Sequence, residues 1–173
     1  MKDKKACIFY FLMTIILLDF GNQLKKMSFS SYIENINNPI FSITHLNNTG
    51  SAFSLFQNQA LILGIIGVLI VLIITYQIFT KVSFNDKLRL LSLTIFSAGA
   101  LGNAIERFQH GHVIDYIKIN FVNFPVFNAF DIMICTGIFL YCTYIFLDIK
   151  KEKNEQNWNR TKRYQTKAGC FFS

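Results

Sequence analysis

The stretch ALILGIIGVLIVLIITY, residues 60–76, contains no charged side chain. At about 1.5 Å per residue, a helix of this length just spans the roughly 30 Å hydrocarbon layer of a bilayer. Three further runs flank it. ACIFYFLMTIILLDFGNQL (6–24) holds one acid, Asp19, while LLSLTIFSAGALGNAI (90–105) and IMICTGIFLYCTYIFL (132–147) hold none. Backbone groups in hydrocarbon must be satisfied within their own segment, so helix is the conformation expected of all four. The composition agrees. The 173 residues are 52% hydrophobic, with a mean hydropathy of +0.35, which is too apolar for a water-soluble domain of this size. The fold class expected is an all-α membrane protein with four transmembrane helices. The first run follows a basic start, MKDKK, as a signal peptide would. It lacks a small-x-small cleavage site, so a retained helix is expected.

The charges lie between the runs and are unevenly shared. All but four of the 17 Lys and Arg precede the first run, separate the second from the third, or follow the fourth; the exceptions are Lys25, Lys26, Arg107 and Lys118. The positive-inside rule then places both termini in the cytoplasm. The net charge of +7 belongs to flanks lying near anionic lipid and implies no nucleic acid. The chain divides into residues 1–149, carrying the helices, and a polar, basic tail, residues 150–173, expected to be disordered. Two regions face the other side, about 25–58 and 106–128. In the first, IFSITHL (40–46) is β-branched and partly alternating; NNTGS and AFSLF follow, predicting a strand, a turn and a second strand.

Cys7, Cys135, Cys142 and Cys170 are spaced wrongly for a redox pair and read as buried inert thiols. The terminal CFFS matches a prenylation pattern only by chance. His110 and His112 have no evident third partner for a metal, and Ser54 has no base near it in sequence. No metal or cofactor is implied.

What remains is acidic. Asp115 lies in the second outer region and Asp131 where the fourth helix begins, with the turn-prone NFP and FN between them. That interval lets the chain turn and re-enter, so the carboxylates can meet at the interface. Two close carboxylates cannot both ionise comfortably. One holds a proton while the other accepts one, so the pair can activate water and protonate a leaving amine. A plainer reading stands beside this: Asn128 caps the fourth helix, Asp131 sits favourably in its first turn, and Asp115 is a solvated loop charge.

Three motifs in order resemble those of signal peptidase II, a family of four-helix membrane aspartic peptidases. NTGSAFS (48–54) resembles N-x-G-x-A-F-S; GNAIER with GHVIDYI (102–117) resembles G-N-x-x-D-R and G-x-V-x-D-F-I; FNAFD (127–131) resembles F-N-x-A-D. The resemblance covers about residues 6–148. It implies that Asp115 and Asp131 are catalytic, with Asn48, Gly50, Asn103, Arg107 and Asn128 around them and Glu106 buttressing the site. It implies a small β-like cradle between the first two helices, lying on the outer membrane surface. The implied substrate is a diacylglyceryl-modified prolipoprotein, cut before its lipidated cysteine at the outer interface of the bacterial inner membrane. Lipidated precursor and membrane lipid are then the expected partners, and a monomer the expected state. Both catalytic positions remain Asp, so activity is expected; three departures carry an alternative, a catalytically weak relative that binds lipidated precursor without turning it over. NQLKK stands where the family has D-Q-x-T-K, so Asn22 replaces an acid, with Asp19 a candidate to compensate. Glu106 replaces Asp, and Phe130 replaces a small Ala and is expected to narrow the site. A more distant alternative, an unrelated transporter or assembly subunit, leaves the motifs unexplained.

Overall fold

A computed structural model describes residues 3–30, 33, 36–50 and 55–169, with side chains to residue 159. Its elements are α1 (Lys4–Ser28), β1 (Phe41–Asn48), α2 (Ala60–Thr80), α3 (Lys87–His110), β2 (Val113–Ile119) and α4 (Ala129–Gly169). Each helix contains a span long and apolar enough to cross a membrane. The helices overrun the apolar runs because polar residues at their ends remain good helix formers. Asp3 starts α1 by accepting from the backbone N–H of Lys5 and Ala6. Its other oxygen accepts from Ser83 Oγ and Phe84 N–H, which ties the N-terminus to the α2–α3 connection. Those segments therefore share one end of the bundle, while β1 and β2 share the other.

α3 is the central helix. Its apolar window is 61% buried, against 22% or less for the other three. Its buried face is built of small residues, among them Ser97, Ala98, Gly99, Ala100 and Gly102. Lipid tails are as apolar as leucine, so helices in a membrane gain by close backbone approach rather than by leaving water, and small side chains permit it. Near the α2–α3 connection, Tyr10, Ile74, Ile78, Leu90 and Leu93 form one cluster, and the Tyr10 hydroxyl bonds Thr75 Oγ1 at 2.9 Å. The outward faces of α1, α2 and α4 are lined with exposed Ile, Leu and Phe, as a lipid-facing surface requires.

Phe130 anchors the second cluster, with Ala98 and Met133. It does not narrow the site as expected from its size. It is 2% exposed and fills the space between α1, α3 and α4. A Cβ added at Gly21 or Gly102 would overlap its ring, and one at Gly99 would lie 2.5 Å from its carbonyl oxygen. The bulk that replaces Ala is thus absorbed by glycines on two neighbouring helices. Gly102→Ala is expected to destabilise the fold by about 1–3 kcal/mol, the usual cost of overpacking. Gly102→Ala/Phe130→Ala should recover part of that loss, because the ring and the added methyl compete for one space. Thermal unfolding in detergent checks this; equal melting temperatures for parent and Gly102→Ala would contradict it.

The predicted hairpin has a different partner. β1 pairs antiparallel with β2, from the second outer region, in a two-stranded sheet with Leu46 opposite Asp115 and Asn48 opposite Val113. The register shifts between Ile43 and Leu46. Of the predicted second strand, residues 52–54 lie outside the described residues, and Leu55 and Phe56 form a turn. β2 wins because VIDYIKI offers an extended, β-branched edge that the α3 terminus delivers alongside β1, turned by Gly111 at φ 74°.

The tail also differs from expectation. Its backbone continues α4 as helix to Gly169 instead of being irregular. Lys, Glu, Gln and Arg are good helix formers, no Pro interrupts residues 150–169, and extending an existing helix needs no new nucleus. Cys170 and the CFFS motif lie outside the described residues.

Candidate active site

Asp115 is the third residue of β2, and Asp131 lies in the first turn of α4. Asn128 joins them. Its side-chain amide donates to Asp115 Oδ1 at 2.7 Å, and its backbone N–H donates to Asp131 Oδ2 at 3.0 Å. Its side-chain oxygen accepts from the N–H of Phe130 at 2.7 Å and of Asp131 at 3.1 Å, which caps α4. This reciprocal arrangement is a capping box with Asp in the acidic position. The plainer reading of Asp131 and the catalytic one therefore coexist: one oxygen serves the cap, and the other accepts from Asn103 Nδ2 at 2.8 Å.

The remaining donors come from α3 and the β1 end. Asn48 Nδ2 donates to Asp115 Oδ2 at 2.9 Å, while Asn48 Oδ1 accepts from Gly50 N–H at 3.0 Å and makes the tight turn after β1. A Cβ at Gly50 would meet the Leu55 carbonyl oxygen at 2.5 Å, so the position has no room for a side chain. Arg107 donates from Nη2 to the Gly50 carbonyl at 2.9 Å and from Nη1 to the Asn103 carbonyl at 3.4 Å. Its Nε is buried without a hydrogen-bond partner among the described residues. The structure thus brings Asn48, Gly50, Asn103, Arg107, Asp115, Asn128 and Asp131 together. Residues 51–54 of the first motif lie outside the described residues.

Asp115 is only 2% exposed. Burial pushes its pKa from the ordinary 3.8 up to about 6, against the pull of the Asn48 and Asn128 amides and of the Arg107 charge. A cavity of about 240 Å³ between α2, α3 and α4 leads to the site. Its walls are apolar, including Ile66, Ile70, Phe96 and Ala100, and its polar end is Asn103, Arg107 and Asp131. Asp131 therefore sits where an apolar groove meets polar side chains.

Two contacts escaped the sequence reading. The Ala129 N–H donates to the Tyr116 hydroxyl at 3.3 Å, satisfying another free donor at the start of α4. Lys25, near the end of α1, pairs with the buried Glu106 at 2.8 Å. Lys25 was one of few basic residues placed on the outer side, which was the signal that it has a partner there. Asp19 and Asn22 are both exposed on α1 with no hydrogen bond or ion pair among the described residues, so Asp19 does not take the missing acid's place.

Known proteins resemble the chain in sequence and in fold. A family model described as signal peptidase (SPase) II matches residues 11–147. A lipoprotein signal peptidase of Streptococcus agalactiae serotype Ia is 34% identical over 154 residues, covering 86% of this chain and 94% of the relative. One from Enterococcus faecalis is 34% identical over 116 residues, covering 67% and 71%. A bacterial membrane enzyme solved by the in meso method at 2.3 Å resolution has the same fold, with a TM-score of 0.72 at 24% identity, over 82% of this chain and 90% of that one.

Proposed function

The chain belongs to the signal peptidase II family and is a membrane protease that removes signal peptides from prolipoproteins; we propose that Asp115 and Asp131 carry out the hydrolysis. The observation that carries this reading is the single side chain, Asn128, hydrogen-bonded to one aspartate and capping the helix that holds the other. The two carboxyls share one proton. The ionised member takes a proton from water as the water oxygen attacks the scissile carbonyl carbon. The protonated member gives its proton to the leaving amine nitrogen as the C–N bond breaks. Asn48, Asn103 and Asn128 hold both carboxyls with amide donors, which adds no charge to the site.

The substrate is a precursor carrying a diacylglyceryl group, cut before its lipidated cysteine. The groove ending at Asp131 is the support for this, since it offers apolar walls to acyl chain or signal helix beside the acids. The site lies at the outer interface of the bacterial inner membrane, with both termini cytoplasmic and the β1–β2 sheet against the membrane surface; the basic flanks support that orientation. The protein acts as a monomer, and residues 150–173 form a segment apart from the peptidase domain. The test of substrate class is a gel assay with purified protein and matched precursors. Release of signal peptide from the lipidated precursor and none from the unlipidated one is expected; equal release from both would overturn the assignment.

The raised pKa of Asp115 predicts a pH profile. A pair that needs one proton loses activity once that proton leaves, so kcat/KM should fall as pH rises through about 6, by roughly tenfold per unit. The same shift acts on stability. A carboxyl raised above 3.8 contributes fully to folding below that value, and the contribution is lost as pH rises through about 6. The melting temperature should therefore decline over the same window. A kcat/KM that is flat between pH 5 and 8 would contradict the assignment.

A further inference from the structure

Glu106 is buried, yet it touches neither catalytic carboxyl. Both of its oxygens are committed elsewhere. Oε1 accepts from Lys25 Nζ at 2.8 Å, and Oε2 accepts from the Ile114 N–H at 3.0 Å. Three elements meet there: the end of α1, the last turns of α3 and the start of β2. Ile114 immediately precedes Asp115, so the carboxylate of Glu106 hooks the strand that carries a catalytic residue back onto α3. The turn at Gly111 and the pairing of Asn48 with Val113 guide the same exit from α3, and the Glu106 bond is the side-chain tie between α3 and β2 among the described residues.

We infer that Lys25 and Glu106 act as a pair of positioning residues for the hydrolysis, fixing where β2 leaves α3 and so where Asp115 stands. The inference rests on the catalytic reading of Asp115. The geometry needs both members. An isolated buried carboxylate is unfavourable, and Lys25 supplies its counter-charge at the oxygen that Ile114 does not use. It also needs the length of glutamate. Aspartate is shorter by one methylene, roughly 1.5 Å, which exceeds the tolerance of a hydrogen bond, so it would release either Lys25 or Ile114. Aligned residue by residue, NQLKK against D-Q-x-T-K puts Lys25 where the family pattern has Thr, and Glu106 stands where that pattern has Asp. The two departures face each other. They read as one change, a longer acid matched by a base that reaches it, so restoring the family's Asp at 106 alone should harm this enzyme.

The experiment measures steady-state cleavage of a lipidated precursor by the purified full chain, with each rate expressed per folded molecule from thermal melts. Glu106→Asp and Lys25→Met are each expected to lower kcat by about tenfold or more with KM within about twofold, because displacing a catalytic group by about 1 Å slows chemistry without weakening binding. Lys25→Met/Glu106→Gln should recover most of the loss, since Gln still accepts from Ile114 N–H and leaves no charge unpaired. Single variants that melt lower but keep kcat within about twofold would reduce the pair to a structural brace and overturn the inference. So would a rise in KM at constant kcat, which marks a substrate contact, or a double variant no better than either single one. Asp131→Asn run alongside separates the two levels: if it cleaves like the parent, the aspartic reading fails, and the inference fails with it for that separate reason.

Discussion

Asp131→Asn and Asp115→Asn are each expected to lower kcat for precursor cleavage by about 10³-fold or more. General acid and general base roles are typically worth 10²–10⁴-fold, and a pair that works by sharing a proton loses both when one member cannot titrate. The substitutions are close in shape but not neutral. Each oxygen of Asp115 accepts from an amide, one from Asn48 and the other from Asn128. Neither donor can turn over to suit an introduced NH₂. Asn48 Oδ1 already holds Gly50 N–H, and Asn128 Oδ1 already caps α4. At Asp131 the opposing donors are Asn103 Nδ2 and the Asn128 backbone. Each variant therefore places a donor against a donor, and a modest drop in melting temperature should accompany the loss of rate. The rate loss must far exceed what the unfolded fraction explains.

Asn128→Ala is expected to have the second-largest effect, with kcat reduced by about 10²-fold and stability by about 1 kcal/mol. The stability term is the helix cap, since Phe130 and Asp131 lose the oxygen that accepts their N–H groups. The catalytic term is the donor to Asp115 Oδ1 and the link to Asn103 Oδ1 at 3.3 Å. Asn128→Asp separates the two. Aspartate caps a helix as well as asparagine does, so the melting temperature should return. It cannot donate to Asp115 and adds a third acid beside the pair, so activity should stay low. Melting curves and kcat on both variants decide this; recovery of stability and activity together would assign Asn128 to the cap alone.

The four helices were legible in the sequence because hydrocarbon leaves one conformation open to a charge-free run such as 60–76. Their ends were not, because Lys87, Arg107 and His110 extend α3 beyond its apolar part on local hydrogen bonds that hydropathy does not register. The partner of β1 was hidden for a different reason. Pairing Asn48 with Val113 spans the whole of α2 and α3, and no local pattern encodes so distant a contact. At the site, the motifs named the described residues whose hydrogen bonds reach the acids, Asn48, Asn103 and Asn128, since each has a side chain whose chemistry limits its replacements. Phe130 was misjudged because its direction depends on glycines at 21 and 102, on other helices. Lys25 and Glu106 each read as a departure from a pattern, and only the packed structure makes them partners.

The most direct test of the central claim measures binding and cleavage on the same samples. Parent and Asp131→Asn, in lipid or detergent, are given a diacylglyceryl-modified precursor; retention of the precursor and release of its signal peptide are followed together. If the two aspartates do the chemistry, both proteins retain the precursor and only the parent releases the signal peptide. Release by Asp131→Asn at the parent's rate would contradict the account, as would a folded parent that holds the precursor and never cuts it.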